Sequence, residues 1–169
     1  TILFSRDGSR AFVTNEIGVA LTVVDVGTDS IVRTISLSSP ANPQLRPMGV
    51  VESIDGKLLY VTTGRGGSLL EIDLAAGRVS RSIEKVGQRP WGIALSPDGK
   101  TLYTANGPSN DISVVDAATG AVLRHREDGR DVVTGMRVLG GEEGVVVVEF
   151  AHGDSVRPGR PFRPVSSVD

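Results

Sequence analysis

The sequence predicts an all-β protein that forms part of a β-propeller with four-stranded antiparallel blades. The first observation is an internal repeat, in which the segment 46–87 recurs 43 residues later as 89–129. A period of about 40–45 residues is typical of a propeller blade. The second is the pattern inside each copy, where short β-branched and aromatic runs alternate with Gly, Pro and Asp turns and no helical period is sustained.

The repeat aligns without gaps across most of a blade. Four pairs of positions share the 43-residue offset: Arg46 and Arg89, Pro47 and Pro90, Tyr60 and Tyr103, Asp73 and Asp116. An earlier copy matches at an offset of 48, and the Pro- and Ser-rich stretch 38–45 accommodates the extra residues as a surface loop. A run of similar sheets is expected because one blade cannot bury both of its faces alone.

Each copy is predicted to form four strands. In the third copy the first strand ends at Pro97-Asp98-Gly99, a hairpin turn in which glycine accepts the positive φ that the turn requires. A loop containing Gly107 and Pro108 separates the second strand from the third, since a central strand does not tolerate this composition. The four predicted strands are 91–96, 101–106, 111–116 and 121–125.

The predicted organisation is a partial propeller over 1–150, followed by an Arg- and Pro-rich tail over 151–169 that we expect to be disordered. The tail places Arg at every third residue, so a peptide-recognition segment in polyproline II conformation is the alternative. A degenerate last blade or a shifted reading frame would each explain the weak fourth copy. The predicted blades are about 1–37, 46–87, 89–129 and, in degenerate form, 132–150.

Composition excludes several function classes. Lys and Arg number 18 and Asp and Glu 20, so the net charge of −2 does not favour nucleic acid or an anionic membrane surface. Cysteine is absent, which excludes disulfides and zinc–thiolate sites. No apolar run approaches the roughly 18 residues of a membrane span. About three to three and a half blades are too few for a closed ring, so we expect the sequence to belong to a longer chain.

Successive copies carry the motifs of a known family. The three segments Phe12-Val13-Thr14-Asn15, Tyr60-Val61-Thr62-Thr63 and Tyr103-Thr104-Ala105-Asn106 resemble a Tyr-Val-Thr-Asn signature. Over about 4–125 the chain therefore resembles the YVTN-family β-propeller repeat proteins. Three shorter motifs are similar to the propeller proteins associated with PQQ-dependent alcohol catabolism in bacteria: Arg46-Pro47-Met48-Gly49, Thr63-Gly64-Arg65-Gly66-Gly67 and Pro90-Trp91-Gly92-Ile93.

This resemblance implies a function and a location. The implied whole protein has seven blades, lies in the periplasm and has no established catalytic residues. The implied partner is a quinoprotein dehydrogenase or its cytochrome acceptor. No cofactor of the chain's own and no metal are expected.

Three aspartates recur at the end of the third strand of each copy: Asp25, Asp73 and Asp116. A ring of carboxylates is one interpretation. The favoured interpretation is structural, because Asp commonly caps a following turn through its side chain and a Gly follows within four residues in each copy.

The candidate binding residues lie where the innermost strands begin. Trp91, the only tryptophan, follows Arg89 there, and Arg46 and Met48 hold the equivalent places one blade earlier. Packing between blades is the favoured role of a large aromatic residue. If the chain binds a ligand, we expect the site to be Arg46, Arg89 and Trp91 at the mouth of the central channel.

Other motifs are weaker. The Gly-rich segment 64–68 lacks the Lys-Ser/Thr and the following helix of a phosphate loop, so it is interpreted as a connection between strands. His125 and His152 are the only histidines and do not have metal-ligand spacing. His152 with Asp154 and Ser155 is too local to predict a hydrolase triad.

From the sequence we therefore expect no catalytic residue and a non-catalytic binding or scaffold protein, an accessory of PQQ-dependent alcohol oxidation. Two alternatives stay open. One is a propeller enzyme, either a lactonase or a quinoprotein dehydrogenase, whose site lies in blades outside this sequence. The other is an interaction scaffold of the surface-layer type. Glu52 is the only carboxylate on the predicted innermost strands, which weakens the enzyme alternative.

Overall fold

The chain forms a row of antiparallel sheets. The computed structural model describes residues 1–109, 111–127, 135–139, 147–152 and 155–157. These residues form three four-stranded sheets and one three-stranded sheet. One 3-10 turn, Gly64–Gly66, is the single helical element among them, and no helix in this part is long and apolar enough to cross a bilayer. The predicted all-β class and the partial propeller architecture are confirmed.

Each four-stranded sheet is a simple meander, in which consecutive strands are hydrogen-bonded neighbours. Blade 1 contains β1 (Ile2–Phe4), β2 (Arg10–Asn15), β3 (Ala20–Asp25) and β4 (Ser30–Ser36). Blade 2 contains β5 (Val50–Glu52), β6 (Leu58–Thr62), β7 (Leu69–Asp73) and β8 (Arg78–Ile83). Blade 3 contains β9 (Pro90–Leu95), β10 (Thr101–Asn106), β11 (Asp111–Asp116) and β12 (Val122–Glu127).

The fourth sheet consists of β13 (Gly135–Leu139), β14 (Val147–His152) and β15 (Ser155–Arg157). Two of these strands extend into the segment 151–169, for which the sequence predicted a tail. The remainder of that segment, from 158, lies outside the described residues, as do the side chains of both histidines.

The strand register repeats from blade to blade. Tyr60 pairs with Glu71 in blade 2, and Tyr103 pairs with Val114 in blade 3, at the same 43-residue offset. The pairing of the third and fourth strands has one irregularity in each blade, at the equivalent positions 23/24, 71/72 and 114/115. Equal registers mean that the sequence repeat is a repeat of the backbone.

The cores lie between blades. Blades 1 and 2 enclose one apolar cluster that includes Phe12, Leu21 and Leu59, and blades 2 and 3 enclose another that includes Leu69 and Leu102. All five side chains are 0–1% exposed. Since neighbouring residues of a strand point to opposite faces, β6 contributes Leu59 to the first cluster and Tyr60 to the second. Blade 2 is thus buried on both faces, as the series of repeats requires.

The antiparallel order determines which segments share an end of the molecule. The innermost strands β1, β5, β9 and β13 are neighbours in succession. In a propeller built of repeated meander blades these strands run in the same direction. Their starts, with the loops 63–68 and 107–109, form what we call the upper end. The turns that follow the first and third strands, such as 53–57, 73–77, 96–100 and 116–120, form the lower end.

Candidate functional site

The candidate binding residues lie at the upper end of blades 2 and 3. Trp91 is the second residue of β9, and Arg89 directly precedes that strand. Arg46 precedes β5 at the equivalent position of blade 2. Because innermost strands line the channel of a propeller, we expect this end of β9 to lie at the channel mouth of the whole ring.

The structure brings Arg89 and Trp91 together. The guanidinium carbon of Arg89 lies 5.1 Å from the centroid of the Trp91 ring, within the range of a cation–π interaction. Arg89 is exposed and Trp91 is half-buried. Among the described residues no carboxylate forms an ion pair with Arg89, so its guanidinium is left for a solvent or ligand group.

Backbone geometry holds this pair in place. Arg89 has a φ of 51°, in the left-handed region that residues with a side chain rarely adopt, and its carbonyl accepts a hydrogen bond from the Gly107 N–H at 3.4 Å. The Trp91 carbonyl accepts a hydrogen bond from Thr62 Oγ1 in blade 2 at 3.0 Å. The backbone of Trp91 is therefore held between blades 2 and 3, and the residue as a whole is half-buried.

Arg46 does not form the same arrangement. Its Nη1 donates a hydrogen bond to the Leu45 carbonyl at 2.8 Å, and its backbone N–H donates to the Thr63 carbonyl at 2.9 Å. The residue equivalent to Trp91 in blade 2 is Met48, so no ring lies at the corresponding position. The predicted group thus separates into a stacked pair in blade 3 and one arginine of the preceding blade.

A buried polar cluster beside this pair was not recognised in the sequence. Asn106, at the end of β10, is fully buried, and its Nδ2 donates to Asp111 Oδ1 at 2.6 Å and to Ser113 Oγ at 2.8 Å. Ser109 Oγ also donates to Asp111, at 2.9 Å. In the sequence Asn106 is noticeable only as the last residue of the Tyr-Val-Thr-Asn-like motif. That motif does not indicate which residues its side-chain amide contacts.

With the fold and this geometry established, comparison with known proteins identifies the family. The family model for lactonases with a seven-bladed β-propeller matches residues 1–139. The chain belongs to this lactonase family.

Solved structures agree on the architecture of this lactonase-family chain. It is 26% identical to Kuenenia stuttgartiensis hydrazine synthase, with a TM-score of 0.78, and the match covers 91% of this chain and 42% of that one. It is 16% identical to U3-55K, with a TM-score of 0.70, and the match covers 87% of this chain and 47% of that one. The second likeness shows the fold alone. The chain spans less than half of each structure it matches, and no curated protein sequence matches it.

The expectation of a non-catalytic protein is wrong. The family match over residues 1–139 points to a hydrolase-type propeller and overturns it. That expectation rested on the resemblance to propeller proteins without established catalytic residues, and on Glu52 as the only carboxylate of the predicted innermost strands. In a propeller the site is assembled by several blades around a channel, so the sequence of a few blades does not display a complete set of catalytic groups.

The carboxylates that the sequence singled out lie at the lower end, away from Trp91. Glu52 is the last residue of β5, and its Oε2 accepts a hydrogen bond from the Arg6 N–H at 2.8 Å. Within the part of the chain that the structure describes, no group of three or more Asp, Glu, His or Cys side chains is close enough to hold a metal ion.

The three recurring aspartates cap lower-end turns. A carboxylate oxygen of Asp25, Asp73 and Asp116 accepts the backbone N–H three residues later, at 2.9, 2.8 and 2.7 Å. Hydrogen bonds from Thr28 lower the pKa of Asp25, and those from Thr119 lower the pKa of Asp116. Each carboxylate is engaged in the turn of its own blade, so the three do not form a common site.

A groove of about 990 Å³ between blades 2 and 3 is the second candidate site. It is lined in part by Tyr60, Glu71 and Arg81, and burial raises the pKa of Tyr60. Arg81 forms an ion pair with Glu71 and donates to the blade 3 carbonyls of Ala117 and Ala118, at 2.8 and 2.9 Å. Arg81 and Glu71 are thus engaged with each other, and Arg81 also joins blade 2 to blade 3 at this groove.

Proposed function

We propose that the protein hydrolyses lactones at the upper end of its central channel, with Arg89 and Trp91 as substrate-contacting residues. One observation supports this site most directly: an arginine without a carboxylate partner in the described residues lies over a half-buried tryptophan ring at the start of an innermost strand. The family of the chain supplies the reaction class.

The two side chains suit the two halves of a lactone. The apolar ring carbons can pack on the face of Trp91, as apolar groups do on aromatic side chains. When water adds to the ester carbonyl carbon, negative charge develops on the carbonyl oxygen. The guanidinium of Arg89 can donate hydrogen bonds to that oxygen, and preorganised donors at this position are a large part of catalysis by such sites.

Completion of the reaction needs a base and an acid. The base removes a proton from the attacking water, the ring C–O bond breaks, and the departing alkoxide takes a proton, which gives a hydroxy acid. Arg89 also suits the carboxylate product, since guanidinium and carboxylate form paired hydrogen bonds. We assign the base to other blades of the ring, because Glu52 lies at the lower end.

The test is ring opening by the full-length protein, measured by pH-stat titration with δ-valerolactone and glucono-δ-lactone as probes. Arg89→Ala should lower kcat/KM by about 100-fold, the effect of removing one oxyanion donor. Arg78→Ala, which removes an exposed arginine at the lower end of β8, should leave it unchanged. A wild-type rate equal to the uncatalysed rate, or an Arg89→Ala variant as active as wild type, would reject this function.

The predicted partner and location are retained as a further part of this proposal. Three short motifs that are similar to propellers of PQQ-dependent alcohol catabolism support a periplasmic protein that works with a quinoprotein dehydrogenase or its cytochrome acceptor. The chemistry is compatible, because oxidation of a cyclic hemiacetal produces a lactone. Co-purification of the full-length protein with either partner from a periplasmic extract would support it, and recovery of the protein in the cytoplasm alone would reject it.

A further inference from the structure

Asn106 occupies a position from which it can control the candidate site. It is the last residue of β10 and pairs with Pro90, the residue between Arg89 and Trp91. An irregularity in the β9–β10 pairing falls between Ala105 and Asn106, so the regular ladder ends here. Beyond this point one backbone hydrogen bond, from the Gly107 N–H to the Arg89 carbonyl, joins the two segments, and the Asn106 side chain adds further contacts.

The Asn106 amide contacts the connection that enters blade 3. Its Nδ2 lies 3.5 Å from the Val86 carbonyl, and the hydroxyl of Ser113 donates to the same carbonyl. Val86 is fully buried, and its N–H donates to the Gly67 carbonyl of blade 2 at 3.1 Å. The amide oxygen accepts a hydrogen bond from Thr104 Oγ1 at 3.1 Å, so both ends of the amide are used.

The connection packs tightly on this amide. A methyl group added at Gly87 would lie 2.2 Å from Asn106 Nδ2, closer than real side-chain contacts allow. Two residues of the connection, Lys85 and Arg89, have left-handed φ values of 58° and 51°. Such conformations persist only where surrounding contacts hold them. For Arg89 one such contact comes from the residue that follows Asn106, because the Gly107 N–H donates to the Arg89 carbonyl.

The equivalent positions of the other blades behave differently. The Asn15 side chain of blade 1 donates to Thr22 Oγ1 at 2.8 Å, and the Thr63 side chain of blade 2 bonds to Ser68 at 3.0 Å. Both of these hydrogen bonds stay within one blade. In blade 3 the same position reaches across to the connection that carries Arg89.

We propose that Asn106 is a positioning residue, which holds the connection 84–89 so that Arg89 stays over Trp91. This inference rests on the proposed function, since it assigns the role of Asn106 to the same site. Asn106 acts through the connection and not by touching the substrate. Its removal should therefore have the same consequences as a displaced Arg89.

The first test uses the emission of Trp91, the only tryptophan of the 169-residue chain. Arg89→Ala removes the stacked guanidinium and provides the reference spectrum. Asn106→Ala should shift the emission towards that spectrum, whereas Asn15→Ala, the same change at the equivalent position of blade 1, should leave it unchanged. An Asn106→Ala spectrum equal to wild type would overturn the inference.

Gly87→Ala tests the same contact from the other side, in case Asn106→Ala does not fold. The added methyl group should push the connection away from Asn106 and shift the emission in the same direction. An unchanged Trp91 spectrum in a folded Gly87→Ala variant would also count against the positioning role.

The second test is a double-mutant comparison of lactone hydrolysis by the full-length protein. Asn106→Ala should lower kcat/KM by about tenfold, because a small misplacement of a catalytic group is costly. In the Arg89→Ala background the same change should cause almost no further loss. Losses that multiply would show that Asn106 acts independently of Arg89. If wild type lacks activity, the proposed function fails, and the emission comparison still decides the role of Asn106.

Discussion

Gly49 lies at a close approach between the inner ends of blades 2 and 3. A methyl group at Gly49 would lie 2.5 Å from the Trp91 carbonyl oxygen and 3.1 Å from Ile93 Cγ2. It would also lie 3.2 Å from Thr62 Oγ1, the atom that donates to that carbonyl. The φ of Gly49 is not positive, so the effect of Gly49→Ala is steric.

The size of the effect follows from these contacts. Adding a methyl group to a packed core costs about 1–3 kcal/mol. Displacing the Thr62–Trp91 hydrogen bond costs about 1 kcal/mol more. Alanine also restricts the unfolded chain more than glycine does, which stabilises the folded state by about 0.5–1 kcal/mol. The free energy of unfolding should therefore fall by roughly 1–3.5 kcal/mol, which is a decrease in Tm of about 2–14 °C for a chain of this size.

Thermal unfolding of the 169-residue chain, followed by far-ultraviolet circular dichroism, measures this change. Gly18→Ala is the matched control, because the nearest atom to its added methyl group is Asn15 Cβ at 3.6 Å, an ordinary contact. We expect its Tm to remain close to that of wild type. If Gly49→Ala and Gly18→Ala unfold at the same temperature, the close approach of the two blades is not as described.

Two further predictions concern acid stability and association. Hydrogen bonds from Ser5 and Ser9 lower the pKa of Asp7 to about 2. Its contribution to stability is therefore complete above its unfolded pKa of about 3.9 and is lost as the pH falls through 2. In urea titrations at a series of pH values, Asp7→Asn should make the free energy of unfolding depend less on pH over this range. Phe4 and Ile31 are 62% and 69% exposed on the outer face of blade 1, so the chain should self-associate. The Phe4→Glu/Ile31→Glu variant should scatter less light than wild type, whereas Ile17→Glu, in a loop, should scatter as much as wild type. Equal scattering by wild type and the double variant would contradict this prediction.

Much of the fold could be predicted because the repeat depends on interactions between residues that are close in the sequence. The turn at Asp98-Gly99 and its equivalent at Asp55-Gly56 both have glycine φ values near 70°, as the hairpin requires. The serine hydroxyl that precedes each turn donates to its aspartate, at 2.7 Å for Ser53 and 2.6 Å for Ser96. These interactions span few residues, so spacing along the chain is sufficient to locate them.

The candidate site was only partly predictable. The sequence placed Arg46 and Arg89 at equivalent positions and could not distinguish them. The structure separates them, because Arg89 lies over an aromatic ring and Arg46 bonds to the adjacent Leu45 carbonyl. The expectation of no enzyme failed for a related reason, since catalytic groups of a channel come from several blades and leave no compact motif.

By itself the sequence determined the class of the protein, the length of its blades and the order of their strands, because turn chemistry and strand alternation act over a few residues. Only the tertiary structure decided which side chains meet between blades. The contact of Asn106 with Val86 spans 20 residues, and that of Thr62 with Trp91 spans 29. Such contacts depend on how one sheet stacks on the next, and that stacking is a property of the folded chain rather than of any segment of it.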